Sequence, residues 1–350
     1  MKLPRNAQIW FPGYVKSRWR DAFRRPPAGA GRVWVAIADH FEPYFAKPTD
    51  EIARQRMALW VRHWPEIAAR HRDSAGNRPV YTFYYPQEEY RPEFLDMLAK
   101  MTRDGIGDVE VHIHHDGEGE QNFVERMSGF IETLHRRHGL LRKHQGRVVF
   151  GFIHGNWALD NSRPDGRWCG LNNEITLLRD LGCYADFTMP SGASPTQGRI
   201  LNTIYWATDD PAKPRSYDRG VPVVPGKPGS GDLLMVPGPM CIRWTERMVP
   251  RLETGEIAAY DLPNAYRVKR WIDVAPRIGN DLFIKLYTHG TQERNSTPLL
   301  LRGALDDTYR LVAEQCRKRG YEYRFVSTWD MRLAIDRAVA GNPSASSVKS

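Results

Sequence analysis

The alternation of short apolar runs with longer amphipathic segments constrains the fold most strongly. The runs are rich in Val, Ile, Phe and Tyr, too short for helices, and typical of buried strands. The sequence predicts strands over 33–38, 80–85, 109–114, 147–153, 184–189, 281–287 and 321–327. It predicts helices over 49–72, 91–103, 121–142, 171–181 and 298–319. Strands that alternate with helices indicate parallel β-α units, and six or seven such units favour a closed barrel over an open sheet.

Three regions depart from this alternation. Residues 1–31 form a basic, aromatic N-terminal arm, which either packs on the body or contacts an anionic membrane surface. Residues 203–239 are rich in Pro, Gly and Asp and predict a long insertion that caps one end of the barrel. Residues 342–350 predict a disordered tail. The barrel domain is therefore expected over 32–341.

Composition and charge limit the class of protein. The 350 residues are 41% hydrophobic and 11% aromatic, which excludes a disordered chain. Four widely spaced cysteines without a C-x-x-C pair argue against a zinc knuckle, a redox pair or a disulfide framework. With no secretory signal and no membrane-spanning run, we expect a cytoplasmic protein. The net charge of +9 favours an anionic partner, but no nucleic-acid module is recognisable, so we predict no nucleic-acid partner.

Metal-binding residue types follow several predicted strands. In parallel α/β barrels the active site lies at the carboxyl ends of the strands, on the βα loops. Here those ends carry Asp39, His40 and Glu42, then His112, His114, His115 and Asp116, then His154, Asn156 and Trp157, and finally His289. Because these segments converge at one end of a barrel, the sequence predicts a functional centre there.

The spacing of two histidines indicates a metal site. His112 and His114 are two apart on a strand, so they project from the same face and can bind one ion together. Asp39 or His40 would add a third ligand, and three protein ligands with an open water position are typical of catalytic zinc sites. His115, Asp116 and Glu118 remain alternative ligands. Asp39 is the first candidate for the base that deprotonates water, and His289 suits the proton donor to a leaving amine.

The order of these segments resembles the polysaccharide deacetylase superfamily (NodB homology, carbohydrate esterase family 4). Ala38-Asp39-His40 stands where that family has a strand ending in T-F-D-D. The segment from His112 to Asp116 resembles its pair of metal histidines, the segment from Phe152 to Trp157 its aromatic loop, and Leu286-Tyr-Thr-His289 its late Leu-x-x-His string. The family's second Asp is His40 here, its histidines are usually four apart, and its usual Arg and Pro are missing from the third motif.

The resemblance covers about residues 32–330 and implies an irregular (β/α)7 barrel with a long insertion. It also implies a divalent metal, a catalytic Asp39, a metal ligand at His40 and a catalytic acid at His289. The reaction implied is hydrolysis of an N-acetyl group from an amino sugar of a bacterial surface polysaccharide, such as an O-antigen or capsule, or its precursor.

From these observations we predict a divalent ion, with zinc as the first choice, held by His40, His112 and His114. Asp39 and His289 are the predicted catalytic residues. The predicted substrate-binding residues are Glu42, His154, Asn156 and Trp157. The expected substrate is a nucleotide-linked or lipid-diphosphate-linked N-acetylated sugar, with peripheral contact to the inner membrane through residues 1–31. The alternatives are another metal-dependent amidohydrolase or phosphoesterase and a non-catalytic carbohydrate-binding barrel.

Overall fold

The structure is a computed structural model that describes residues 3–23, 31–245 and 247–341, and the predicted tail 342–350 lies outside the described residues. The helices are α1 (Ala7–Ala22), α2 (Asp50–Arg70), α3 (Pro92–Arg103), α4 (Glu120–Glu132), α5 (Glu174–Leu181), α6 (Ala265–Val274), α7 (Glu293–Ser296), α8 (Ala304–Arg317) and α9 (Thr328–Ala340). The strands are β1 (Arg32–His40), β2 (Tyr81–Pro86), β3 (Gly107–Ile113), β4 (Arg142–His144), β5 (Arg147–His154), β6 (Cys183–Asp186), β7 (Tyr205–Ala207), β8 (Gly220–Pro222), β9 (Leu233–Met235), β10 (Cys241–Trp244), β11 (Pro250–Glu253), β12 (Arg277–Ile278), β13 (Asp281–Thr288) and β14 (Glu322–Phe325).

The main sheet has a run of parallel strands in the order β13-β1-β2-β3-β5-β6-β9. These are seven parallel strands within the described part of the chain, and helices follow most of them. β14 pairs in parallel with the first half of β1, and β7 and β8 extend the other edge in antiparallel pairing. The prediction of a parallel α/β fold built from β-α units is therefore confirmed.

The two ends of this sheet approach each other, which gives it the form of an irregular barrel. The Lys285 ammonium on β13 donates a hydrogen bond of 2.7 Å to the Phe187 carbonyl oxygen, which follows β6. The Tyr287 amide donates to Gly255, and the Ile257 amide donates to the Tyr287 carbonyl at 2.8 Å. Irregular segments therefore complete the wall beside β13.

The pleat of β1 separates two apolar layers. Val33, Val35 and Ile37 belong to the layer between the sheet and the helices, where α2 contributes Trp60 and Trp64. The alternate residues of β1 belong to a second layer in the barrel interior, together with side chains from the other strands. These β1 residues are Trp34, Ala36 and Ala38. Each strand therefore offers alternate residues to the interior and to the helical layer.

The segment 203–239 differs from the predicted cap. Its β9 is a strand of the barrel itself, and β7 and β8 pair beside β9 at the sheet edge. The short β9 was missed because it has three residues and stands among Pro, Gly and Asp residues, whose pattern indicates loops. It is held in place by pairing with β6, which is distant in sequence.

Helices α6 and α9 were also absent from the sequence-based prediction. Each has an N-cap that could have indicated its start. The Asn264 side chain accepts a hydrogen bond from the Arg267 amide, and the Ser327 hydroxyl accepts one from the Asp330 amide. The predicted helix over 121–142 ends as an α-helix at Glu132, followed by one π-helical turn.

The N-terminal helix α1 packs on the body of the protein. Trp10 forms a small apolar cluster with Leu201 and Met240. The Asn202 amide group donates hydrogen bonds to the Ser17 hydroxyl and to the Met240 carbonyl. One face of α1 is thus fixed to the barrel.

We expect Lys285→Met to change how stability depends on pH. Burial lowers the pKa of Lys285 to about 7, although Asp186 opposes this shift. Between pH 7 and the ordinary lysine pKa near 10.5, the unfolded chain holds a proton that the folded chain releases. The unfolding free energy of the natural protein should therefore rise relative to Lys285→Met across this range, by up to a few kcal/mol. Urea unfolding at pH 7 and pH 10 measures this difference, and a pH-independent difference would contradict it.

Candidate functional site

A cavity of about 740 Å³ opens at the carboxyl ends of the strands. Its lining combines imidazole, carboxylate and aromatic groups from several strand ends, including His40, Glu42, Asn156, Trp157, Tyr287 and His289. The segment 203–239 contributes none of the lining residues, whereas loops from 191–193 and 251–261 do. The predicted cap is therefore not over this cavity, and the region around β11 borders it instead.

His40, Glu42 and His112 form a buried group beside the cavity whose ligand atoms lie within 4.8 Å of one another. Glu42 Oε1 lies 3.2 Å from His112 Nε2, and the rings of His40 and His112 are 5.1 Å apart. His40 ends β1, and Glu42 follows it by two residues, so both point inward. Burial alone would raise the pKa of Glu42, but hydrogen bonds with His112 and His114 hold it well below its usual range.

A hydrogen bond on the side of the ring away from Glu42 fixes the orientation of His112. Its Nδ1 lies 2.8 Å from the carbonyl oxygen of Ile153 on the neighbouring strand β5. A carbonyl accepts only, so Nδ1 carries a proton and, in the neutral ring, Nε2 presents its lone pair to Glu42. Two electron pairs facing each other at 3.2 Å need a proton or a cation between them. A backbone carbonyl behind the ring is also the usual support for a metal-binding histidine.

His114 also projects into the cavity but has a different set of partners. Its Nδ1 forms a short contact with Glu88 Oε1, and its Nε2 lies 3.4 Å from Glu42 Oε1. Burial alone would lower its pKa, but the two carboxylates raise it to about 10. As expected from their spacing, His112 and His114 share a face, and their rings are 4.7 Å apart. The structure places Glu42, a predicted substrate-binding residue, within the possible ligand group, and gives the predicted ligand His114 a carboxylate partner in Glu88.

His289 lies on the opposite side of His40. The two rings stack at 4.7 Å, and Trp157 approaches both of them. His289 Nδ1 faces Glu256 Oε1 at 4.0 Å, while the described residues provide no hydrogen-bond partner for Nε2. Burial lowers the pKa of His289, which leaves a neutral imidazole at the cavity wall near neutral pH.

Asp39 lies on the other face of β1 and does not line the cavity. Its carboxylate accepts hydrogen bonds from the Tyr81 hydroxyl at 2.9 Å and the Gly290 amide at 2.7 Å. Burial raises the pKa of Asp39 to about 7. Because neighbouring residues of a strand face opposite sides, His40 and Asp39 cannot both point into the barrel.

The turn after β5 brings Asn156 and Trp157 to the cavity. Both have left-handed backbone angles, with φ of 54° and 55°, which is uncommon for a bulky residue such as Trp157. The buried Trp157 indole nitrogen has no hydrogen-bond partner among the described residues. A strained turn that presents an aromatic ring to a cavity is consistent with the predicted contact to a sugar.

The remaining candidates lie elsewhere. His154 and His115 are buried together on the helix-facing side of the sheet and do not line the cavity. Asp116 accepts a hydrogen bond from the Trp168 amide, and Glu118 pairs with Arg126. The structure therefore does not bring His154 to the predicted substrate site. Glu88 and Glu256 were not singled out from the sequence. Glu88 follows the end of β2, where no candidate was named, and Glu256 follows β11, which was not predicted.

The donor set of the cavity group fits a divalent cation. Two imidazoles and one carboxylate are a common ligand set of catalytic zinc sites, and two of the three line an open cavity from which water can supply a further ligand. His112 also has the hydrogen-bonded support that such ligands require. The types of side chain and their convergence on one point therefore both fit a divalent cation.

Comparisons with known proteins give distant similarities. No protein-family model and no curated protein matches the chain. Among solved structures, it is similar to a "putative polysaccharide deacetylase from Mycobacterium smegmatis" at 12% identity and a TM-score of 0.48, over 93% of this chain and 98% of the other. It is also similar to a 4-alpha-glucanotransferase from Thermococcus litoralis at 9% identity and a TM-score of 0.45, over 87% of this chain and 40% of the other. At these values neither similarity assigns an activity, so function has to be inferred from the site.

We expect Gly155→Ala to destabilise the site. A Cβ at position 155 would lie 2.4 Å from the His114 ring and 2.6 Å from the Ile113 carbonyl oxygen, so the ends of β3 and β5 would have to separate. The unfolding free energy should fall by about 2 kcal/mol or more. Gly129→Ala in α4 is the control, because its Cβ meets nothing within 4 Å, and it should be neutral or stabilising by up to about 1 kcal/mol. Equal stabilities of the two variants would contradict the expected clash.

Proposed function

We propose that the protein is a metal-dependent hydrolase that removes an N-acyl group from an amino sugar. The observation that carries this proposal is the convergence of His40, Glu42 and His112 beside a cavity that also presents Trp157 and His289. A divalent cation held by the first three residues would supply Lewis-acid polarisation of the amide carbonyl and activation of water. Zinc fits the two imidazoles and one carboxylate.

We assign the proton transfer to His289. Its neutral ring can take the proton of the attacking water at Nε2 and return it to the departing amine nitrogen. Glu256, which faces Nδ1, would stabilise the ring while it carries the additional proton. One group thus serves in turn as base and as acid, and the products are a carboxylic acid and a free amine.

The contacts of Asp39 support a positioning role. Its carboxylate holds the Gly290 amide, one residue after His289, and a Cβ on Gly290 would collide with it at 2.2 Å. Asp39 therefore fixes the turn that presents His289. Its role as the base remains a prediction from the sequence, and the geometry favours His289 for that role.

The cavity suits a sugar that carries an anionic group. Trp157 offers a flat apolar surface on which a pyranose can stack, and Asn156 offers an amide donor and acceptor. The Arg and Lys side chains that stand around the cavity are Arg5, Lys47, Arg251 and Arg294. These charges would bind the diphosphate of a nucleotide-linked or lipid-linked sugar, and so would give part of the net charge of +9 a function.

Helix α1 supports the lipid-linked alternative. Phe11, Val15, Trp19 and Phe23 recur every four residues and are all exposed, with Trp19 and Phe23 at 68% and 73%. The helix begins beside the cavity, where the Asn6 amide group donates to the Ala193 carbonyl. No helix in the described ranges is long and apolar enough to cross a bilayer. We propose that this exposed stripe rests on a membrane surface while the opposite face packs on the barrel.

The function is tested by product analysis. Purified protein should release a carboxylic acid and a free amine from a nucleotide-linked N-acetylated amino sugar. A chelator should abolish the release and Zn²⁺ should restore it. His112→Ala should lower kcat/KM by at least about 100-fold, because it removes a proposed ligand.

A control variant and the identity of the product make this test specific. His135→Ala replaces a histidine outside the cavity and should keep the activity. Release of phosphate in place of a carboxylic acid would favour a phosphoesterase, and binding of the sugar without turnover would favour a carbohydrate-binding protein. Unchanged activity in His112→Ala would contradict the proposed metal centre.

We expect Trp19→Ser with Phe23→Ser to weaken membrane binding. The natural protein should co-sediment with vesicles that contain anionic lipid, and the double variant should bind several-fold less because two exposed aromatic rings are lost. Val221→Ser with Val224→Ser is the matched control, since both valines are also exposed. Equal sedimentation of the natural protein and the Trp19/Phe23 variant would rule out the role of this stripe.

A further inference from the structure

A second polar cluster lies on the helix-facing side of the sheet. His115, His154, Cys169 and Glu174 are all buried, and one ligand atom from each lies within 4.8 Å of those of the other three. The His115 and His154 Nε2 atoms are 2.9 Å apart, and Glu174 Oε1 lies 3.0 Å from the first and 3.3 Å from the second. Cys169 Sγ lies 3.3 Å from Glu174 Oε2. None of the four lines the cavity.

Three chain segments supply this cluster. His115 follows β3, His154 ends β5, Cys169 comes from the loop before α5, and Glu174 is the first residue of α5. Folding has therefore moved two imidazoles, a thiol and a carboxyl group out of water to one point. Such groups are costly to bury unless they are paired or bind a metal.

The protons available do not satisfy the two imidazoles and the carboxylate. His154 Nδ1 lies 2.5 Å from the Gly155 carbonyl oxygen, so it carries the proton and Nε2 presents a lone pair. Glu174 Oε1 is a second acceptor at the same point. A proton on His115 Nε2 can be donated fully to only one of these two acceptors, and the other is then left facing a lone pair. A cation at this point would satisfy the three converging atoms together, although His115 Nδ1 has no hydrogen-bond partner among the described residues.

Two backbone amides are directed at the sulfur of Cys169. Its Sγ accepts hydrogen bonds from the backbone amides of Asn161 at 3.2 Å and Leu171 at 3.4 Å. Two amide donors directed at one sulfur stabilise negative charge on it. Glu174 Oε2 accepts the Asp160 amide at 2.7 Å, so the carboxylate is also held from behind. Metal ligands typically have outer hydrogen bonds of this kind.

We infer that His115, His154, Cys169 and Glu174 form a closed structural site for Zn²⁺, separate from the cavity group. Around a tetrahedral Zn²⁺, nitrogen, oxygen and sulfur ligands lie about 3.3–3.7 Å from one another. The two Nε2 atoms and Glu174 Oε1 are 2.9–3.3 Å apart, and one ligand atom from each of the four residues lies within 4.8 Å of the others. Four protein ligands leave no position for water, which is the mark of a structural site. The inference does not depend on the proposed function.

This site would hold the loop that shapes the cavity. His154 immediately precedes the turn of Asn156 and Trp157, and Cys169 and Glu174 lie at the other end of the same loop. A metal bond between the two ends would fix this loop against β3 and keep the left-handed turn in place. Its expected effect is thus on stability and on the position of Trp157.

The cluster can be tested with Co²⁺, because a thiolate ligand gives a charge-transfer band that histidine and carboxylate ligands do not. The Co²⁺-loaded natural protein should show this band. His112→Ala, which changes only the cavity group, should keep it, whereas Cys169→Ser should lose it together with one equivalent of bound metal. Cys316→Ser is the matched control, since Cys316 is also buried and lies outside both groups, and it should keep both the band and the metal.

If Cys169→Ser does not fold, measurements on the natural protein alone test the proposed zinc site. Its zinc form should show a Zn–S distance of about 2.3 Å by X-ray absorption, and Zn²⁺ should raise its melting temperature. Absence of both the cobalt band and the Zn–S distance would overturn the site and leave a proton-sharing cluster. Loss of activity in His112→Ala with the band retained would support both proposals, and the band without any activity would support this site alone.

Discussion

The alternation of side chains along parallel strands is the constraint on which both polar groups depend. β1, β3 and β5 end at the same edge of the sheet, so their last residues meet there whatever their separation in sequence. Along each strand, every second residue points into the barrel, and the residues in between point toward the helices. His40 and His112 thus point into the barrel, where His40 lines the cavity and His112 lies behind it, whereas Asp39 and His154 are turned toward the helical layer. One wall of the barrel carries a polar group on each side.

The energetics of burial explain why each group is elaborately supported. An imidazole or a carboxylate removed from water must recover its lost hydration through hydrogen bonds or charge. Behind the cavity group, Ile153 supports His112, and Glu88 supports His114. Behind the second group, backbone amides support Cys169 and Glu174. For these supported residues the hydrogen bonds lie on the outer side and the remaining lone pairs converge, which is the arrangement that a cation stabilises.

The sequence predicted the parallel strands well because their apolar runs are long enough to be distinctive. The shared face of His112 and His114 followed from the same period of two, and the convergence of His40 and His289 followed from the common edge. That period also separates Asp39 from His40, so the sequence held the information that the two face opposite sides. What it lacked were distant partners: Glu88 for His114, β6 for the three residues of β9, and Cys169 for His115. The two side-chain pairings arise only when loops fold over the strand ends, and the β6–β9 pairing arises only when the sheet assembles.

The loop after β5 links the two groups physically. Its first residues, His154 and Gly155, contact His115 and His114, which are adjacent in the chain. Gly155 must lack a side chain for the His114 ring to lie against it. The next two residues adopt a left-handed conformation that is unfavourable for Trp157 in isolation. The contacts of His154 with His115 and Glu174, and that of the Glu174 carboxylate with the Asp160 amide, hold the chain on both sides of this turn. The contacts on the helix-facing side of the sheet therefore help to position the turn that presents Trp157 to the cavity on the other side.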